Sequence, residues 1–96
     1  MTRAETIAAI RALETELHAL GVKSLGLFGS VARDEAGPTS DVDVLVEFQG
    51  PATLDAYVDL KRLLERVLGR RVDLVTQGAL KPLVRPHVER DLIDVA

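Results

Sequence analysis

The amino-acid sequence predicts an α/β (α+β) fold, a small sheet flanked by helices. Two amphipathic helical periods, at about 3–20 and 54–68, are separated by aliphatic runs too short to be helices. The run from Asp41 to Phe48 alternates, with Val42, Val44, Val46 and Phe48 on one face and Asp41, Asp43, Leu45 and Glu47 on the other. From residue 41 to 75 the order strand, helix, strand reads as a βαβ unit, whose crossover helix makes its two strands parallel.

Along the chain, Thr2 and Glu5 have the spacing of a capping box. Ile7, Ile10, Leu13, Leu17 and Leu20 then recur at helical steps up to Gly21, so a single helix is expected from Arg3 to Leu20. Ser24 to Phe28 is a short apolar run ending at Gly29-Ser30, the pattern of a buried strand giving way to a turn. Val31 to Glu35 allows little more than one helical turn before Gly37-Pro38-Thr39-Ser40 breaks it. After Gly50-Pro51, Leu54, Tyr57, Leu60, Leu63, Leu64, Val67 and Leu68 trace the second long helix, with Gly69 as its stop. Val72 to Val75 forms the third strand. In the tail, Leu83, Val84, His87, Val88 and Leu92 suggest a last helix against the opposing signals of Pro82 and Pro86.

Composition bounds the function. A chain of 96 residues is expected to hold one domain, 1–96, because a second core could not bury enough apolar surface to offset its own conformational entropy. Apolar residues make up 47% and aromatic ones only 3%, so the core is aliphatic. A net charge of −3 argues against a broad basic face for nucleic acid, so no direct nucleic-acid binding is expected. The chain has no cysteine, which excludes disulfides and thiolate metal sites and suits a reducing cytoplasm. Its first residues, MTRAETIAAIRALE, carry charges at helical spacing and resemble neither a signal peptide nor a membrane span.

Carboxylates at i and i+2 on a strand share a face, with Cα atoms roughly 6.5–7 Å apart, so Asp41 and Asp43 can converge on one ion. Mg²⁺ suits such a pair, taking one or two carboxylates together with substrate phosphate oxygens. If Val72 and Leu74 face the helices, Asp73 lies on the acidic face as well and becomes the third acid of a site for two ions about 3.5–4 Å apart. An isolated Asp-x-Asp is more often a solvated pair on an open face. What changes the weighing is Gly29-Ser30 at a strand-to-helix turn, where unpaired backbone N–H groups attract phosphate. Arg33, a turn later, can face the same phosphates or a carboxylate. Tyr57 fits the apolar register of its helix as a core-edge residue, or offers a hydroxyl that accepts a nucleotide. His18 and His87 have no partner at metal-ligand spacing and suit surface or packing roles.

Phe28-Gly29-Ser30-Val31-Ala32-Arg33, followed by Ser40-Asp41-Val42-Asp43-Val44, resembles the signature of the nucleotidyltransferase superfamily related to DNA polymerase β, and nearly the whole chain resembles its minimal (MNT) members. The resemblance implies a palm-like fold with a mixed, partly antiparallel sheet. It implies Gly29, Ser30 and Arg33 at the nucleotide, and Asp41, Asp43 and Asp73 as catalytic residues holding Mg²⁺, with Asp73 near the acceptor hydroxyl. ATP is the implied substrate. Asp34 departs from the pattern, since many relatives have Gly there; it either alters the phosphate loop or caps the short helix.

Nothing in the sequence beyond the transfer residues looks built to hold an acceptor, so an external partner is expected to present it. MNT proteins of this kind commonly serve as antitoxins of a helical HEPN toxin, and the family's activity is transfer of AMP to a toxin tyrosine. Two other readings remain at this point. One is a non-catalytic antitoxin that masks its partner, and the other is transfer to a small molecule such as an aminoglycoside.

Overall fold

Thr2 starts the first helix by the reciprocal bonding its spacing predicts. Its Oγ1 accepts from the Glu5 backbone N–H at 3.1 Å, and Glu5 Oε1 accepts from the Thr2 N–H at 2.8 Å. The computed structural model describes residues 2–37 and 40–96. Met1 lies outside them, as do Pro38 and Thr39, the middle of the loop expected to end the short helix.

The expected helix over 3–20 is two helices, α1 (Arg3–Arg11) and α2 (Glu14–Ala19). At the break the Leu13 N–H bonds back to Ile10 O, a three-residue step that tightens the turn. The two pieces thereby address different neighbours. α1 packs on α4 (Leu54–Leu68) and α2 on β1 (Val22–Phe28), with Ile10 and Leu17 both fully buried. Apolar spacing is blind to this step because Leu13 keeps the stripe in phase.

β1 leads into α3 (Gly29–Ala32), then β2 (Val42–Phe48), α4, β3 (Val72–Thr76), a 3₁₀ turn at Gln77–Ala79, α5 (Arg85–Asp91) and β4 (Ile93–Asp94). The sheet order is β3-β2-β1-β4. β2 pairs with β3 in parallel, as the βαβ pattern predicts, and β1 runs antiparallel to both β2 and β4, making the sheet mixed. Pro86 sits in the first turn of α5, where its missing N–H costs nothing, so it starts the last helix rather than breaking it. Leu83 and Val84 are left outside that helix and exposed.

One sheet face is the core. Leu25, Leu27, Val42, Val44 and Val46 meet Leu60, Leu64 and Leu68 of α4, and each fully buried leucine contributes about 1.5–3 kcal/mol. Gly69 closes α4 in the left-handed conformation. The other face carries Gly26 and Phe28 of β1 opposite Leu45 and Asp43 of β2. α5 packs on β1, and Leu92, just past it, lies so close over Gly26 that a Cβ there would press on its side chain and crowd the Ile93 carbonyl. Among the described residues no helix is long and apolar enough to cross a membrane.

Candidate active site

Strand pairing alone brings the predicted residues together. Asp43 is in register with Asp73 across the parallel β2–β3 ladder and with Phe28 across β1, so the neighbouring backbones are about 4.8 Å away on either side. Asp41 sits just before β2 and is exposed, Asp43 is partly exposed, and Asp73 is exposed between buried Val72 and Leu74. The three acids therefore share the face opposite the core.

Gly29 joins the turn to these acids. Its φ of +73° favours glycine, and a Cβ at this position would collide with the Asp43 carboxylate. The backbone at the start of α3 thus lies directly against the acid at the sheet centre. Phe28, the residue before α3, supplies no side-chain cap, so the first N–H groups of the helix lack the usual intrahelical or capping partner beside that acid. Ser30 is partly exposed next to it.

α3 closes as a Schellman turn. Asp34 N–H bonds to Val31 O at 3.0 Å and Glu35 N–H to Ser30 O at 2.8 Å, with Asp34 at φ +60°. The sequence left two roles open for Asp34, and the geometry selects the cap at the end of the helix. It also explains why glycine suits this position, since the left-handed conformation carries a steric cost for a residue with a Cβ. Asp34 Oδ1 additionally accepts from the Arg3 N–H at 3.3 Å, tying the turn to α1.

Arg33 meets carboxylates, one of the two kinds of partner foreseen for it. Its Nη1 is bonded to Asp91 at the end of α5, and its Nε lies 3.4 Å from Glu35. The guanidinium nevertheless remains near enough to Asp43 for its positive charge to draw that carboxyl downward. The opposing effects are stronger: burial, then the charges of Asp73 and Asp41, push Asp43 up to about 6. Asp91 escaped the sequence reading because nothing in its spacing marks it as Arg33's partner.

Crowded carboxylates whose charges oppose one another form a hard-oxygen donor set that a divalent cation relieves, and this fits Mg²⁺. Among the described residues no three His, Cys, Asp or Glu side chains close into a ready cage. Mg²⁺ does not require one, because it takes few protein carboxylates and completes its shell with water and phosphate.

Two concavities of about 300 Å³ lie away from the acids. One is bounded by Arg11, Leu17, His18 and Val95, the other by Val46, Phe48, Thr76 and Gln77. Asp41 and Asp73 are exposed on the acid face, and chemistry and backbone approach, rather than a concavity, mark the candidate site. His87 contacts Arg90 and is exposed. The Tyr57 hydroxyl donates to Leu74 O at 2.6 Å, which settles it at the edge of the core.

Comparison with known proteins bears on the family and the fold. Residues 10–95 match the model of the Nucleotidyltransferase domain family. Over 76 residues the chain is 46% identical to a candidate protein adenylyltransferase of Methanocaldococcus jannaschii, covering 78% of this chain and 81% of that one. Over 75 residues it is 43% identical to the protein adenylyltransferase MntA of Thermococcus cleftensis, covering 78% and 76%. A solved candidate minimal nucleotidyltransferase superposes with a TM-score of 0.82 at 41% identity, over 97% of this chain and 95% of that one. At 20% identity, where likeness speaks for the fold alone, a chain from the complex of a tri-AMPylated Shewanella oneidensis HEPN toxin with its MNT antitoxin superposes with a TM-score of 0.60, over 90% and 71%.

Proposed function

The chain belongs to the Nucleotidyltransferase domain family, and from that membership we propose that it moves AMP from ATP to a protein hydroxyl, a tyrosine of a helical HEPN toxin, and so acts as a cytoplasmic antitoxin. The observation that carries the reading is the close approach of Gly29 to the Asp43 carboxylate, which supports taking the turn and the acidic strand together as one site. The names of the archaeal relatives support a protein acceptor, and the toxin–antitoxin complex supports the kind of partner.

In this reading the backbone N–H groups at the start of α3 and the Ser30 hydroxyl hold the triphosphate, with Arg33 beside them. Asp41, Asp43 and Asp73 hold Mg²⁺, which when bound neutralises charge on the transferring phosphoryl group and the departing pyrophosphate. The acceptor oxygen attacks the α-phosphorus as the bond to the β-phosphate oxygen breaks, and pyrophosphate leaves. The proton lost by the hydroxyl passes to Asp73 or to water. Tyrosine suits the step, since its phenol, with a pKa near 10, loses a proton more readily than an aliphatic alcohol.

Mass spectrometry of the co-expressed partner tests the proposal. After incubation with Mg²⁺ and ATP, one or more AMP units should appear on tyrosine, and the Asp43→Asn variant should add none. An unmodified partner inhibited equally by wild type and Asp43→Asn would replace transfer with masking.

A further inference from the structure

We propose that Tyr57 and Glu65 of α4 are positioning residues for the transfer step, holding the edge strand β3 at the two backbone groups that flank Asp73. The inference rests on the assignment of Asp73 to the site and names what fixes that residue in place.

β3 lies at the end of the sheet, with a strand on one side only. Its backbone polar groups alternate in direction, and the Val42 N–H bonded to Arg71 O at 2.9 Å fixes the phase. Arg71, Asp73 and Val75 present their backbone groups to β2, while Val72 and Leu74 present theirs to the free edge. Unpaired edge groups invite fraying or pairing with another chain. Here α4 takes one from each of these residues. Glu65 Oε2 accepts from the Val72 N–H at 2.9 Å, and the Tyr57 hydroxyl donates to Leu74 O at 2.6 Å. The two side chains sit eight residues apart on the helix and grip residues two apart on the strand, with Asp73 between them.

The apolar contact of α4 with the sheet is made by Leu60, Leu64 and Leu68, all buried. Tyr57 and Glu65 are only partly buried, and their polar ends go to the strand backbone rather than to solvent. Because α4 covers the core face, the clamp acts from behind the sheet and leaves the acid face clear. It fixes the distance of Asp73 from Asp43, its partner in the register. A misplacement of roughly 1 Å at a reacting group can lower the rate by about 10²-fold, so even a modest loosening of an edge strand should be visible in turnover.

The test combines steady-state kinetics with hydrogen exchange on Tyr57→Phe, Glu65→Met, Glu65→Gln and Asp73→Asn, all kept well below their melting temperatures. Turnover is read as pyrophosphate release from Mg²⁺-ATP, with the co-purifying partner protein as acceptor. Tyr57→Phe and Glu65→Met should each lower kcat about tenfold or more with KM for ATP within about twofold. Glu65→Gln, which keeps an oxygen acceptor for the Val72 N–H, should stay near wild type. In the metal-free proteins the Val72 amide should exchange faster in Glu65→Met than in Glu65→Gln. If Tyr57→Phe and Glu65→Met lower the melting temperature but leave kcat within about twofold, the clamp serves stability alone and the proposal falls. If Asp73→Asn itself keeps near wild-type kcat, the underlying assignment of Asp73 falls first.

Discussion

At Asp43, burial and two neighbouring carboxylates act in the same direction and raise the carboxyl from 3.8 to about 6. A carboxyl raised on folding favours the folded state at low pH, and that contribution is lost as pH rises through about 6. Above that pH the ionised group costs stability that an amide would not. We therefore expect Asp43→Asn to be more stable than wild type at pH 8 with a chelator present, by about 1 kcal/mol after discounting for its partial exposure. In a domain of this size that corresponds to a rise of several degrees in melting temperature. At pH 4 the difference should shrink towards zero. Paired thermal melts at the two pH values measure it, and an Asn variant that melts lower than wild type at pH 8 would contradict the electrostatic account. The same substitution should end nucleotide transfer, so gain of stability and loss of activity separate at one atom.

At the scale of elements, the short helix α3 concentrates what was legible and what was not. Gly29, Ser30 and the two strand acids could be read from residue type and spacing, because a strand-to-helix turn and a period-two strand are local patterns. Asp34 at φ +60°, the pairing of Arg33 with Asp91 and the Tyr57 and Glu65 bonds to β3 could not, because each depends on which distant segment comes to rest nearby. The break between α1 and α2 was hidden by an uninterrupted apolar stripe. β4 was hidden by its length, two residues that pair with Gly26 and Leu27 only after α5 has carried the chain across the sheet. The Asp34 turn yields its own prediction. Asp34→Gly should keep stability within about 1 kcal/mol of wild type, the relief of a left-handed side chain offsetting the entropy of glycine. Asp34→Val, β-branched at positive φ, should lose about 1–2 kcal/mol. Urea denaturation of the two variants decides this, and equal stability of Val and Gly would mean that the turn does not hold its geometry in solution.

Across the whole molecule the proposed site is drawn from three separate segments, the turn at 28–33, the strand start at 41–43 and the edge strand at 73, and β2 is the element that joins them through one antiparallel and one parallel ladder. A ligand that engages all three segments binds the folded chain and not the unfolded one, so it must raise stability by mass action. Mg²⁺ with a non-hydrolysable ATP analogue should therefore raise the melting temperature, and the rise should grow with analogue concentration. The analogue with chelator should give much less, because the acids and the triphosphate would then face each other as like charges. Ser30→Ala should weaken affinity by about 0.5–1.5 kcal/mol, the net value of one hydrogen bond, or roughly two- to tenfold in Kd. Arg33→Ala should weaken it at least as much and should also lower the melting temperature without ligand, because it releases α5 from α3 at Asp91. Titration calorimetry alongside the melts separates these effects. Unchanged affinity in both variants would move the triphosphate away from α3, while a shift as large with chelator as with Mg²⁺ would remove the three acids from nucleotide binding.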